Sequence, residues 1–231
     1  MFFNKNRNPQ ADDLYNEGLS LHLHGMIPQA IEKYTNAIRQ NPEMIPAYEN
    51  RASAKRILGD FQGALDDINN AIKLDSNRAS AYYNRAVIKV DIRDLKGAIT
   101  DYGTVLSINP DYPQALCNRA VAYFHMGNTE SALTDIQAAI EKEPTDPIAY
   151  FTLSLINETM GNLNNAINNC SKAIELDSNF IQAYLRRAEL YHEINRTELS
   201  IQDLETALAN IPENDLRSQN MLKNAIDKLR S

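Results

Sequence analysis

The chain contains no tryptophan, two cysteines and only four histidines in 231 residues. Cys117 and Cys170 stand far apart and form neither a metal-ligand nor a disulfide pattern. His22 and His24, two apart on a helical pattern, point to different faces, and His125 and His192 are remote from them. There is no HExxH, P-loop, GxSxG or glycine-rich dinucleotide motif. Paired carboxylates such as Asp66 and Asp67 read as a solvent-facing helix surface. The expectation is therefore a non-enzyme, with no catalytic residue, metal or cofactor. Basic charge is also short. Lys and Arg number 23 against 30 Asp and Glu, for a net charge of −7 and a pI near 5.2, whereas phosphate binding needs a basic face. No stretch approaches the roughly 20 apolar residues of a membrane helix. Met1-Phe2-Phe3 gives way at once to Asn4-Lys5-Asn6-Arg7-Asn8, so an apolar signal-peptide core is missing. These absences argue against nucleic acid and membrane insertion. They make the cytoplasm the default location, with a cleaved leader left open.

What is present is a repeat. Ala30, Ala64, Ala98, Ala132 and Ala166 are each 34 residues apart, and Ser200 completes the series. A second small series runs Ala37, Ala71, Val105, Ala139, Ala173, Ala207, and a third Gly18, Ala52, Ala86, Ala120, Ser154, Ala188. Small residues recurring in three registers mark close helix approaches, and a period of this length is one supersecondary unit stacked on copies of itself. Bulky residues agree. Leu14, Tyr48, Tyr82, Leu116, Tyr150 and Tyr184 recur in the first half of each unit, and Tyr34, Ile68, Tyr102, Ile136, Cys170 and Leu204 in the second. Within a unit they fall three and four apart, as two helices. Gly25, Gly59, Gly127 or Gly161 separates the two, as a left-handed helix stop requires. Asn195 suits that conformation, and Arg93 is the costly exception. Units close on Asn41-Pro42, Asn109-Pro110, Glu143-Pro144 and Ile211-Pro212, or on Asp75-Ser76-Asn77 and Asp177-Ser178-Asn179, which turn the chain.

This pattern resembles the tetratricopeptide repeat, although Leu or Tyr occupies the slot where that family often carries tryptophan. A pentatricopeptide array, which reads RNA, has a period one residue longer, and the register here never slips. The resemblance implies an all-α, right-handed superhelical solenoid of antiparallel helix pairs. Six repeats (11–44, 45–78, 79–112, 113–146, 147–180 and 181–214) form one continuous array, after an unstructured segment over 1–10. A helix over 215–231 then caps the array, with Leu222, Ala225, Ile226 and Leu229 on its covering face.

In such arrays the second, fifth, sixth, ninth and thirteenth positions of each first helix line a concave groove where a partner's peptide or helix lies. The sixth position reads Asn16, Asn50, Asn84, Asn118, Thr152, Arg186. The four asparagines offer donors and acceptors to a peptide backbone, or else bond to a neighbouring helix. Tyr15, Tyr83 and Phe151 at the fifth position, with Phe124 at the twelfth, are candidate anchors for partner side chains. Cys117 borders this groove, and Cys170 belongs to the core. Arg51, Arg85, Arg119 and Arg187 at the seventh position read as stems packing between repeats. Family members that hold chaperone C-terminal carboxylate tails need Lys at the fifth position and Asn at the ninth. Here those positions read Tyr15, Glu49, Tyr83, Cys117, Phe151, Leu185 and Leu19, Ser53, Val87, Val121, Leu155, Glu189. Without the cations such a tail gains no charge-assisted bond, so that partner is argued against. The function expected is a non-catalytic protein-interaction module, an adaptor or assembly scaffold. The alternatives are a self-associating scaffold, a homo-oligomer through groove or ends, and the regulatory domain of a larger enzyme.

Overall fold

The computed structural model describes residues 8–230. Among them are thirteen α-helices and no strand. The first helices of the six repeats are α1 (Pro9–Leu23), α3 (Ile45–Ile57), α5 (Ala79–Asp91), α7 (Pro113–His125), α9 (Pro147–Thr159) and α11 (Ile181–Glu193). The second helices are α2 (Ile27–Gln40), α4 (Phe61–Leu74), α6 (Leu95–Ile108), α8 (Thr129–Lys142), α10 (Leu163–Leu176) and α12 (Thr197–Asn210), and α13 (Leu216–Arg230) follows.

Every mid-repeat turn uses one device. Gly25, Gly59, Gly127 and Gly161 have φ between 73° and 79°, with Arg93 at 64° and Asn195 at 58°. The following amide then reaches back five residues to close the helix, as in Met26 N–H to Leu21 O at 2.9 Å and Asp94 N–H to Lys89 O at 2.8 Å. Three second helices begin on side-chain caps, whereas Asn162 before α10 makes none. Asp60, Asp94 and Asn128 accept from the amides of Gly63, Gly97 and Ser131.

The unstructured segment expected over 1–10 does not extend to its last residues. Helix α1 begins at Pro9, and Asn8 caps it by accepting from the Ala11 amide while its own amide donates to Gln40 O at 3.0 Å. The remainder, residues 1–7, lies outside the described residues.

Where the period implies one array, the chain divides into two compact units, residues 1–115 and 116–231, parting in the first turn of α7. A stack in which each pair touches only its neighbours can be divided at any joint. In the first unit α1 pairs with α2, α3 with α4 and α5 with α6, and successive pairs meet through α2 with α3 and α4 with α5. In the second, α9 pairs with α10 and α11 with α12, with α8 against α9, α10 against α11 and α12 against α13.

The small residues are the contact points. Ala30, Ala64, Ala98, Ala132 and Ala166 have no exposed surface, and Ser200 is buried too. At Gly18 a Cβ would stand 2.7 Å from the fully buried Tyr34 ring, so the first pair closes to a distance only glycine permits. Cys170 is a core residue with no exposed surface. Helix α13 buries Ile226, half-buries Leu222, Ala225 and Leu229, and pairs Arg230 with Glu205 of α12.

Candidate functional site

Positions five, nine and twelve of a first helix share one face because they are separated by four, three and seven residues, and position six borders that face, three residues before position nine. In the first unit this face and its border carry Tyr15, Asn16, Glu49, Asn50, Tyr83 and Asn84. Asn50 Nδ2 donates to the Tyr15 hydroxyl at 2.8 Å, so this rung of the asparagine series ties two repeats together. Tyr15 is half-buried, its ring 5.9 Å from that of Tyr34, and burial raises its phenol above the ordinary range. Asn84 is uncommitted: its amide opens onto a pocket of about 240 Å³ lined by Ser53, Arg56, Tyr83, Val87 and Ile88. Tyr83 stacks on Tyr112 with centroids 5.2 Å apart and meets Tyr102 edge-on at 5.7 Å, so only part of its ring is available. Asn16 is exposed. Glu49, at the fifth position, is buried and receives Arg78 Nη2 and Ser80 Oγ, each at 2.6 Å.

In the second unit Phe124 and Arg186 come together although their sequence positions are 62 residues apart. They line one open pocket of about 700 Å³ with Leu155, Glu158, Thr159, Gly161, Leu163 and Glu193. Arg186 forms an ion pair with Glu189 Oε2 at 2.8 Å and donates to Glu158 Oε1 at 3.4 Å. Phe151 turns instead to Phe180, with centroids 5.2 Å apart, and is not among the residues lining that pocket. Asn118 is half-buried and Thr152 is buried. Cys117, expected to border the groove, is only 5% exposed, and burial pushes its thiol up to about 12, with Asp146 and Glu143 adding to the effect. It is a core residue, buried like Glu49 at the same position, whereas the larger Tyr15, Tyr83 and Phe151 are half-buried.

Two expectations about charged residues need correction. Asp67 is not a solvent-facing partner of Asp66: it is 2% exposed while Asp66 is exposed. The seventh-position arginines do more than pack their stems. Each donates through Nε and Nη2 to the two oxygens of an aspartate sixteen residues on: Arg51 to Asp67, Arg85 to Asp101, Arg119 to Asp135 and Arg187 to Asp203, all between 2.6 and 2.9 Å. Three of them spend Nη1 on a side chain sixteen residues back, Thr35, Asn69 and Ser171. All four lie over a neighbouring tyrosine ring, as Arg85 does over Tyr82 at 5.3 Å. Hydrogen bonding to Asp101 and Asp135 holds Arg85 and Arg119 above the ordinary arginine range. The first repeat inverts the pair, with Glu17 against Lys33, and the fifth has the neutral residues Leu153 and Asn169 at these positions. Among the described residues no three His, Cys, Asp or Glu side chains gather to hold a metal ion, and no helix is long and apolar enough to cross a membrane.

Profiles described as tetratricopeptide repeat match residues 45–78, 113–146, 148–180 and 181–214, and one described as TPR repeat matches 93–127. Tetratricopeptide repeat protein 36 of Danio rerio is 42% identical over 55 residues, which is 24% of this chain and 29% of that relative, so the chain matches less than a third of its length. Among solved structures, a tetratricopeptide repeat protein from Parabacteroides merdae superposes with a TM-score of 0.77 at 20% identity, over 96% of this chain and 88% of the other. YrrB, a TPR protein with an unusual peptide-binding site, superposes with a TM-score of 0.61 at 22% identity, over 83% of this chain and 97% of its own. At such identities the likeness is one of fold. The matched profiles span most of the chain, and the structure pairs its helices in that fold, so this protein belongs to the tetratricopeptide repeat family.

Proposed function

We propose that the chain is a non-catalytic protein-interaction module that holds a peptide or helix of a partner against its first helices, as an adaptor or scaffold. One observation carries this reading. Phe124, Leu155 and Arg186, supplied by three successive first helices, meet at one open pocket instead of being spent on core packing. A pocket assembled across repeats measures off an extended ligand, one repeat at a time. In the first unit the free amide of Asn84 beside Tyr83 offers a donor and an acceptor to peptide backbone. The likeness to YrrB, whose structure has a peptide-binding site, agrees with this use of the fold. A cytoplasmic setting remains part of the proposal.

The test is hydrogen–deuterium exchange of the full chain, free and saturated with a peptide selected against it from a random library. Slowed exchange is expected on α5, α7, α9 and α11. Protection confined to the second helices would move the partner to the opposite face and overturn this reading.

A further inference from the structure

The second-unit pocket that Phe124 and Arg186 line has a character the pocket beside Asn84 lacks. Its lining combines three apolar side chains, Phe124, Leu155 and Leu163, which we call its floor, with the charged Glu158, Arg186 and Glu193, which we call its rim. Resting on the interaction reading above, we infer that its occupant is a partner segment carrying a bulky apolar side chain flanked by lysine or arginine.

The floor sets the central residue. Covering Phe124, Leu155 and Leu163 with a phenylalanine- or leucine-sized side chain removes apolar surface from water on both partners, and this is the dominant favourable term in association. The rim sets the flanks. Glu158 and Glu193 line the pocket, and Glu189 stands beside it, bonded to Arg186. Arg186 is the one cation of this rim, and Glu158 and Glu189 already hold it at 3.4 and 2.8 Å. An acidic ligand would have to displace a carboxylate from Arg186 while facing three of them. Three carboxylates against one guanidinium leave two negative charges, and a cation at the rim meets both. Like charges across an interface are costly, and opposite ones set partner choice and speed encounter. The net charge of −7 extends the same sign to longer range. It also argues against a second copy of this chain as the occupant. In the first unit's pocket Arg56 is matched by Asp91 at 2.8 Å, which leaves no such bias there.

The experiment displays random twelve-residue peptides on phage, selects them on the full-length chain and counter-selects on the Phe124→Ala variant. Circular dichroism first confirms that each variant is folded. The surviving peptides should share a large apolar residue with at least two lysines or arginines close by. A synthetic copy, followed by fluorescence anisotropy, should bind Phe124→Ala and the double variant Glu158→Gln/Glu193→Gln about tenfold more weakly than the native chain, and should weaken as salt is raised. Acidic or uncharged survivors that still need Phe124 would overturn the inference while leaving the interaction reading intact. Basic survivors that bind the double variant as well as the native chain would overturn it too. A selection in which nothing depends on Phe124, together with exchange protection on the second helices, would remove both readings.

Discussion

Arg51 sets Nε and Nη2 against the two carboxylate oxygens of Asp67, one helix away, at 2.8 and 2.6 Å, and Lys55 adds a third contact to the same carboxylate at 2.8 Å. The pattern returns at Arg85, Lys89 and Asp101. Asp67 and Asp101 are nearly inaccessible, so neither charge can fall back on water if its partner is lost.

Removing one member of such a pair should therefore cost more than removing both. Asp101→Ala leaves Arg85 and Lys89 facing each other, and a broken buried pair costs about 3–5 kcal/mol. The double change Arg85→Met with Asp101→Leu keeps the volume without the charges and should be milder than Asp101→Ala alone. Urea unfolding of the two variants decides. A double variant that loses as much as the single one would show that the pair is a net contributor in its own right.

Arg93 occupies the left-handed turn that glycine fills in four other repeats. A side chain there costs roughly 1–2 kcal/mol, offset in part by the greater freedom of glycine in the unfolded chain. Arg93→Gly should raise stability by about 0.5–1 kcal/mol, since the arginine is exposed and its removal opens no cavity. A lowered urea midpoint would mean that Arg93 makes a contribution that its conformation conceals.

Alkaline pH should weaken the fold. Burial pushes the Cys117 thiol and the Tyr34 phenol up to about 12 from ordinary values of 9.0 and 10.0, with Asp146, Glu143 and, for Tyr34, Tyr15 adding to the shifts. Both groups keep their protons when folded and lose them when unfolded. The stabilisation is complete below about pH 9 and drains away as pH climbs towards 12, at about 1.4 kcal/mol per pH unit for each proton. Cys117→Ala should make the loss shallower, with Cys170, whose thiol burial also raises, and Tyr34 carrying what remains. Unfolding midpoints that stay level between pH 8.5 and about 11 would contradict the buried placement of both groups.

The asparagine series should split into two behaviours. Asn50→Ala strips the Tyr15 hydroxyl of its donor and should lower stability by about 0.5–1.5 kcal/mol, the net value of one bond. Asn84→Ala should leave the melting temperature unchanged and weaken a bound peptide by a similar amount. Calorimetric affinities and thermal melts on the same two variants separate the roles. If Asn84→Ala destabilises the chain and leaves affinity alone, that rung is structural as well.

Much of the fold was legible because its constraints act through the backbone. A residue at positive φ, a chain turn after a helix and a small side chain where two helices touch each narrow the choice to a few residue types, chiefly glycine, proline and alanine. The side-chain pairings were not, because they join residues on different helices. Tyr15 and Asn50 are 35 positions apart, and Arg51 and Asp67 belong to helices that run in opposite directions. A signal for the ion pairs did exist. Arg and Asp recur sixteen residues apart in four repeats, their signs are exchanged at Glu17 and Lys33, and both charges disappear together at Leu153 and Asn169. The six copies act as their own comparison set, and reading Asp66 with Asp67 as one exposed couple overlooked it. The candidate site was legible only as a stripe. Which members open onto a pocket, as Asn84, Phe124 and Arg186 do, and which are consumed internally, as Asn50 and Phe151 are, depends on contacts across repeats.

The reach of Arg51 in both directions, to Thr35 behind and Asp67 ahead, carries a lesson for anyone splicing this protein. A fragment that begins at Ile45 loses the Thr35 hydroxyl but keeps Arg51 with Asp67, whereas a join at Gly59 parts Arg51 from both oxygens of Asp67. Grafts, deletions and chimaeras joined at the repeat borders should thus be tolerated better than those joined at the left-handed turns of Gly25 or Gly59.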